Sequence, residues 1–131
     1  MKKTMFMDKY PIYTLRLEKT EIDQNSVDEI VEYFKEKIEL NKIAKFIAVF
    51  DHYAHTKNLG GEIEDGMIDA KNIIFCFGAA IPNSKILAAR PRSIGICEYD
   101  KYFIIEFVEA PKEEMHTLME NWSKELVRKL P

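Results

Sequence analysis

The chain has 131 residues, of which 47% are hydrophobic and 31% are charged, and its formal net charge is −3. This length suits one domain with its own hydrophobic core, and the composition excludes an intrinsically disordered chain. A slightly acidic chain has no general attraction for phosphate backbones, so we do not expect nucleic acid as a partner.

Two cysteines, Cys76 and Cys97, lie within apolar segments. Small secreted scaffolds usually carry more cysteines, so we interpret these two as buried free thiols of a cytoplasmic protein. Asp8 and Lys9 interrupt the N-terminal segment too early for a signal peptide. No segment is long and apolar enough for a membrane-spanning helix, and we expect no membrane partner.

The first elements of the chain are a strand and a helix. Residues before Tyr10 show no strong pattern, whereas the alternation over residues 12–17 predicts a half-buried strand near a sheet edge. Ser26 and Glu29 have the spacing of a capping box, which begins a helix. The apolar stripe of this helix follows at helical intervals: Val27, Ile30, Val31, Phe34 and Ile38.

The middle of the chain predicts two strands that each lead into a polar segment. Residues 43–50 predict a central strand, because the second half of this run is apolar on both faces. A short helix over residues 53–59 follows. Residues 72–77 predict another central strand, and residues 78–82 a flexible turn before a short helix over residues 85–89.

The last third predicts a hairpin and a helix. Residues 94–99 and 102–108 form the two strands of the hairpin. The final helix begins near Pro111, and His116 lies off its apolar stripe and is expected to be exposed. That stripe consists of Met115, Leu118, Met119, Trp122, Leu126 and Leu130.

These elements together predict a single α+β domain over residues 1–131. We expect a mixed, largely antiparallel sheet of about five strands. Two long and one or two short helices pack against this sheet.

Polar side chains follow the first of the two predicted central strands. Asp51 and His52 suggest a ligand-binding pair, and a cap with a packing role is the alternative. His52 and His55 are three residues apart, so a helix would place both rings on one face. Neutral imidazoles at this spacing suit zinc, iron or haem, although a structural metal site needs about four ligands.

A second polar turn follows the other predicted central strand. Gly78, Pro82, Asn83 and Ser84 lie between this strand and a short helix, where free backbone amides suit an anion or a small ligand. An ordinary connection is the alternative. The chain contains no complete catalytic or cofactor signature, so we expect no cofactor and favour a non-catalytic function.

With these elements in place, the chain resembles the domain-of-unknown-function family 302. Asp51-His52 with Tyr53-Ala54 is similar to one motif of that family, and Phe77-Gly78 with Pro82 is similar to another, although residues 79–81 separate the glycine from the proline here. Leu87 and Ala110-Pro111 complete a resemblance that spans residues 12–130. The resemblance implies a small dimeric α+β domain and no established reaction.

From these observations we expect a small cytoplasmic module, homodimeric, that binds a small ligand or a partner at the ends of the two central strands. The expected ligand-binding residues are Asp51, His52, Gly78, Pro82, Asn83 and Ser84. The alternative function is transition-metal or haem binding through His52 and His55.

Overall fold

A computed structural model of the chain describes residues 1–129. Within these residues the chain forms six strands, three α-helices and two short 3₁₀ helices. Their order along the chain is β1 (Lys2–Phe6), β2 (Tyr10–Glu18), a 3₁₀ helix (Lys19–Glu21), α1 (Val27–Glu39), β3 (Ala44–Phe50), α2 (His52–Asn58), β4 (Asp69–Phe77), a second 3₁₀ helix (Ser84–Ala88), β5 (Arg92–Glu98), β6 (Tyr102–Val108) and α3 (Glu113–Lys124).

The six strands form one sheet in the order β1-β2-β6-β5-β4-β3, and each neighbouring pair is antiparallel. The predicted α+β class is confirmed, with six strands instead of about five. The additional strand is β1, whose five residues are all exposed. A strand that is exposed at each position needs no apolar alternation, so β1 could not be predicted from periodicity.

The prediction that residues 43–50 form a central strand is wrong, because β3 lies at one edge of the sheet. Ile47 is 50% exposed, and Val49 and Phe50 are each 40% exposed. A β-bulge between Phe46 and Ala48 interrupts its pairing with β4. The apolar run therefore reflects partial cover by neighbouring elements and not burial on both sides.

Helices α1 and α3 cover one side of the sheet, which we call the helical face. The predicted stripe of α1 is buried there, and Ser26 caps α1 by accepting a hydrogen bond from the Glu29 amide at 3.1 Å. The Glu29 carboxylate accepts from the Asn25 amide, one residue before the cap. The sheet residues buried beneath the helices are Leu17, Ile73, Phe75, Phe77, Ile94, Ile96, Phe103, Ile105 and Phe107.

Alternate residues point to the opposite side of the sheet, which we call the open face. It carries apolar and polar side chains together: Ile12, Thr14, Arg16, Asn72, Ile74, Cys76, Ser93, Gly95, Cys97, Ile104, Glu106 and Val108. Helix α2 lies on this side, because the Phe50 ring on the open face contacts the rings of His52 and His55 at 5.2 and 5.3 Å. Among residues 1–129, the helix that lies on the open face covers the half formed by β3, β4 and β5.

The last helix is shorter than predicted. It ends at Lys124, after which Val127 pairs with Ile22 and the Arg128 side chain binds Asp23 at 2.6 Å. Leu130 of the predicted stripe lies outside the described residues. None of the helices in residues 1–129 is long and apolar enough to cross a membrane.

The prediction that His116 is exposed is wrong, since this side chain is buried between α3 and the sheet. Its ring lies 4.1 Å from the Tyr13 ring and 5.6 Å from the Phe107 ring. Nδ1 accepts a hydrogen bond from the Ala110 amide at 3.3 Å, and Nε2 lies 2.9 Å from Glu120 Oε1. The buried surface of α3 is thus rotated relative to the predicted stripe and includes a histidine.

Candidate functional site

The two groups of predicted site residues lie at opposite ends of the sheet. Strands β3 and β4 are antiparallel, with Phe50 opposite Asn72 and Ala44 opposite Phe77. The end of β3 therefore lies beside the start of β4, and five residue steps of about 3.4 Å separate it from the end of β4, or roughly 17 Å. The structure brings His52 to one hollow and Gly78 to another.

Asp51 positions the first of these groups by capping α2. Its Oδ1 accepts a hydrogen bond from the Ala54 amide at 3.0 Å, and its Oδ2 lies 3.8 Å from Lys71 Nζ. Lys71 also bonds Asp28 on α1, and this bond is the main reason that the pKa of Lys71 is raised. The Asp51 carboxylate thus holds the start of the helix and is not part of the lining of the cleft beside it.

His52, the first residue of α2, lines a cleft between this helix and the open face, which we call the α2 cleft. It has a volume of about 340 Å³. Its floor is formed by β4 and β5, and residues 62–67 form its outer wall. The cleft is lined by His52, Tyr53, Thr56, Glu62, Ile63, Glu64, Met67, Ala70, Lys71, Asn72, Gly95, Ile96 and Cys97.

Hydrogen bonds to β5 and the residue after it hold the outer wall in place. The Tyr99 hydroxyl donates to Glu64 Oε2 at 2.9 Å, and the Ile68 amide donates to the Glu98 carbonyl at 2.8 Å. Burial and the neighbouring Glu64 carboxylate raise the pKa of Tyr99, so its proton stays in this bond at neutral pH. These hydrogen bonds therefore hold the outer wall in a defined position against β5.

Polar atoms on the cleft lining remain available for a ligand. The Asn72 amide donates one hydrogen bond to Ser93 Oγ at 2.9 Å, which leaves its carbonyl oxygen unused among the described residues. The His52 ring and the Thr56 hydroxyl likewise have no hydrogen-bond partner within residues 1–129. These groups are open to solvent, so a ligand in the cleft would replace water as their hydrogen-bond partner.

The electrostatics of the α2 cleft are acidic. Glu62 and Glu64 line it, and its one lysine, Lys71, is already paired with Asp28 and Asp51. Cys97 lies on the floor, where burial raises the pKa of its thiol to about 11. The thiol is therefore protonated at neutral pH and is a weak nucleophile.

The His52 and His55 rings lie edge to face with 6.4 Å between their centroids, and both pack on Phe50. Only His52 lines the α2 cleft. Within residues 1–129, no group of three or more histidine, cysteine, aspartate or glutamate side chains is placed to hold a metal ion. The two rings supply half of the ligands that a structural metal site requires.

Gly78 lines a second hollow, also on the open face, which we call the Gly78 hollow. It has a volume of about 390 Å³ and is lined by Ile47, Cys76, Gly78, Ala79, Ala80, Ile81, Leu87, Arg90 and Pro91. Gly78 has a φ of 94°, and the Arg90 guanidinium packs where a Cβ atom would stand. Arg90 Nη1 also donates to the Ala80 carbonyl at 2.9 Å. The arginine thereby fixes the turn.

Pro82, Asn83 and Ser84 are exposed and lie outside the lining of this hollow. The Asn83 side chain caps the second 3₁₀ helix by accepting from the amides of Lys85 at 3.0 Å and Ile86 at 3.3 Å. The Lys85 and Ile86 amides, which we expected to bind an anion, are thus already hydrogen-bonded within the turn.

Three residues that share the α2 cleft with His52 were not predicted as site residues from the sequence: Thr56, Asn72 and Cys97. The helical spacing of α2 and the strand alternation of β4 could have identified two of these residues. Thr56 lies four residues after His52 and so on the same helix face, and Asn72 alternates with the buried Ile73 of β4. Which strand lies under α2 was the missing information.

Comparison with protein families replaces the resemblance drawn from the sequence. A family model matches residues 1–128, and it describes a family of unknown function, DUF6858. No curated protein and no solved structure matches the chain. The resemblance to the domain-of-unknown-function family 302 is wrong, because the family model that matches is a different one. The motifs behind it are a helix cap at Asp51 and a glycine turn at Gly78, which recur in unrelated folds. The chain belongs to the family of unknown function DUF6858.

Proposed function

We propose that the protein is a non-catalytic binding module that takes a small ligand in the α2 cleft. The observation that carries this proposal is the set of unpaired polar groups of His52, Thr56 and Asn72 around one volume of about 340 Å³. This volume is at the lower end of the range for small-molecule sites. Such a site suits a ligand of about metabolite size.

The chemistry of the lining favours a small polar ligand that carries an amino group. Glu62 and Glu64 attract a positive charge, and Lys71 adds little opposing charge because two aspartates already pair with it. The Asn72 carbonyl oxygen is an acceptor for an ammonium group. The Tyr53 ring adds an aromatic face at the rim.

The state of Cys97 supports binding over catalysis. A thiol nucleophile would have to ionise near neutral pH, and the pKa of this thiol is about 11, so Cys97 is not suited to that role. We place the module in the cytoplasm, because Cys76 and Cys97 are both free thiols. Nucleic acids and membranes are not among the partners that we propose.

A titration followed by ¹H–¹⁵N NMR tests the proposal, with two matched probe sets: small primary amines and the carboxylic acids of the same carbon skeletons. We expect saturable shifts of the His52, Thr56 and Asn72 amide signals with amines and not with acids. Shifts with acids alone would contradict the proposed charge preference, and no saturable shift with either set would refute the cleft as a binding site.

His55→Ala is the matched control for His52→Ala. Both rings are exposed and both pack on Phe50, but only His52 lines the cleft. We expect H52A to weaken binding of the best amine at least roughly fivefold, since a hydrogen bond to a ligand contributes about 1 kcal/mol. We expect H55A to bind as the wild type does. Equal losses in both variants would mean that the effect arises from packing on Phe50.

A further inference from the structure

We propose that the protein has a second binding site, which holds the phosphate group of a small organic phosphate monoester beside the start of α3. The site is separate from the α2 cleft, and the proposal does not depend on the ligand of that cleft. Its basis is a small pocket that three basic side chains line, none of which has an ion-pair partner within residues 1–129.

The pocket lies on the helical face, at the end of the sheet where β4 ends and β5 begins, and we call it the Arg92 pocket. Arg92 is the first residue of β5 and alternates with the buried Ile94, so its side chain points to the helical face. Three basic residues line the pocket together with apolar ones: Arg90, Arg92 and Lys112, and among the apolar ones Phe77, Ile86 and Met115.

The Arg92 guanidinium is a half-buried cation that the described part of the chain does not balance. Of its five N–H donors, one on Nη2 bonds the Val108 carbonyl, and Nε is fully buried without a hydrogen-bond partner in residues 1–129. Nη1 also lacks a partner there but is accessible to solvent. Burial lowers the pKa of Arg92, and no carboxylate of these residues counteracts that effect. Charges removed from water are normally paired, so this guanidinium lacks an anion.

The acidic side chains near the pocket bond elsewhere or lie outside it. Glu109 accepts hydrogen bonds from the Tyr13 hydroxyl at 3.1 Å and from Lys3 at 3.4 Å. Glu113 and Glu114 are exposed residues in the first turn of α3 and are not part of the lining. Among the described residues that line the pocket there is no carboxylate, so its positive charge remains unbalanced.

Arg90 and Lys112 add two further positive charges. Arg90 Nη1 donates to the Ala80 carbonyl at 2.9 Å, which fixes this guanidinium beside Gly78. Lys112 directly precedes α3 and is exposed, and its ammonium group forms no ion pair within residues 1–129. Two fixed guanidinium groups and one adjustable ammonium group therefore surround the same small volume.

The charge and the size of the Arg92 pocket favour a phosphate group. A phosphate monoester carries about −1.5 to −2 charges at pH 7, which matches three cations better than the single charge of a carboxylate does. Guanidinium groups bind phosphate oxygens with paired N–H donors. The pocket volume of about 50 Å³ is several times the roughly 10–15 Å³ that one water molecule requires, so it suits one phosphate group.

The apolar part of the lining favours an organic ester over inorganic phosphate. Ile86 and Met115 are half-buried and border the pocket, where they can contact an alkyl group attached to the phosphate. A chain with a net charge of −3 has no general attraction for polymers such as nucleic acids. The proposed ligand is therefore a small molecule.

Titration of the full chain followed by ¹H–¹⁵N NMR at constant ionic strength tests the proposal. The probes are butyl phosphate and valerate, which share a four-carbon chain and differ in the anionic group. We expect butyl phosphate to shift the amide signals of Gly78, Lys112 and Met115 saturably and to leave that of His52 unchanged. Valerate should bind at least roughly fivefold more weakly, because it carries less charge.

Three variants assign the binding to the Arg92 pocket. Arg92→Met removes the charge and keeps much of the side-chain length, and we expect it to weaken butyl phosphate binding at least roughly tenfold. It should remain as stable as the wild type in phosphate-free buffer, because an unpaired charge does not stabilise the fold. Lys112→Ala should weaken binding roughly threefold. Lys85→Ala is its matched control, because Lys85 is an exposed lysine next to Ile86 that lies outside the lining, and we expect a loss below roughly 1.5-fold.

Saturable binding that R92M and K112A weaken, and that K85A leaves intact, supports the proposal. The absence of saturable shifts at about 20 mM butyl phosphate overturns it, and so does valerate binding as tightly as butyl phosphate. Equal losses in K112A and K85A also overturn it, since they assign the effect to diffuse surface charge. A purely structural Arg92 predicts the reverse result for R92M, namely lower stability with unchanged binding. If R92M does not fold, the comparison of K112A with K85A decides, because both lysines are exposed.

Discussion

Replacing His116 with alanine is expected to destabilise the protein by about 2 to 4 kcal/mol. The change removes the acceptor of the Ala110 amide, which is buried, and an unsatisfied buried donor costs about 1 to 3 kcal/mol. It also removes the contacts of the ring with Tyr13 and Phe107, which contribute about 0.5 to 1.5 kcal/mol. The bond from Nε2 to Glu120 is lost as well.

Urea unfolding followed by circular dichroism, at one fixed protein concentration, measures this loss. With a slope of roughly 2 kcal/mol per M, the midpoint should fall by about 1 to 2 M. His116→Asn retains an acceptor near the position of Nδ1, so it should recover part of the loss and not the ring contacts. His52→Ala, which removes an exposed ring, should change stability by less than about 0.5 kcal/mol.

The reasoning is refuted if H116A unfolds within about 0.5 kcal/mol of the wild type. It is also refuted if H116N is no more stable than H116A, because the Ala110 amide would then not depend on an acceptor at this position.

Three further predictions concern other parts of the chain. Gly78→Ala should lower the melting temperature more than Gly66→Ala: both glycines have a left-handed φ, which costs about 1 to 2 kcal/mol, but only the Cβ at position 78 meets Arg90. Partial burial acts to raise the pKa of Glu120, but hydrogen bonds from Lys124 and His116 outweigh this effect, so the pKa is lowered in the folded protein. The Glu120 carboxylate therefore stabilises the fold above about pH 4.3. This stabilisation is lost as the pH falls through the lower folded pKa. Glu120→Gln should therefore flatten the acid limb of a plot of unfolding free energy against pH, and an unchanged limb would contradict this assignment. At pH 8, Cys97 should react with iodoacetamide roughly 200-fold more slowly than a free thiol, because only about 1 in 1,000 thiols is ionised when the pKa is about 11. A reaction rate near that of a free thiol, measured by mass spectrometry, would exclude such burial.

The long periodic segments of the chain predicted their own structure. The α1 stripe and its Ser26 cap, the strands β4, β5 and β6, and the α+β class all follow from alternation and helical spacing. In these segments one side is buried by a single large partner, so the pattern of apolar residues reports that side directly.

The segments that were predicted wrongly are not buried on one side by a single large element, or they bury a polar side chain. Apolar residues on both faces of β3 reflect partial cover at a sheet edge, and β1 is held by backbone pairing with β2 while its side chains remain exposed. His116 was predicted to be exposed because it lies off the apolar stripe of the last helix, whereas Ala110 and Glu120 satisfy both of its ring nitrogens in the interior.

The candidate site could be predicted only in part, because it depends on topology. The sequence selected His52 but grouped it with the turn at Gly78, since both follow apolar strands. Antiparallel pairing of β3 with β4 separates these two positions and brings His52 to Asn72 and, across β4, to Cys97. Strand order is set by contacts between distant segments and has no local signal.

Native mass spectrometry of gently purified protein tests most directly whether the α2 cleft holds a small ligand. We expect each 15.3 kDa chain to carry a small additional mass, and we expect H52A to lose this additional mass. Chains without additional mass, obtained under conditions that preserve known weak protein–ligand complexes, would contradict this account.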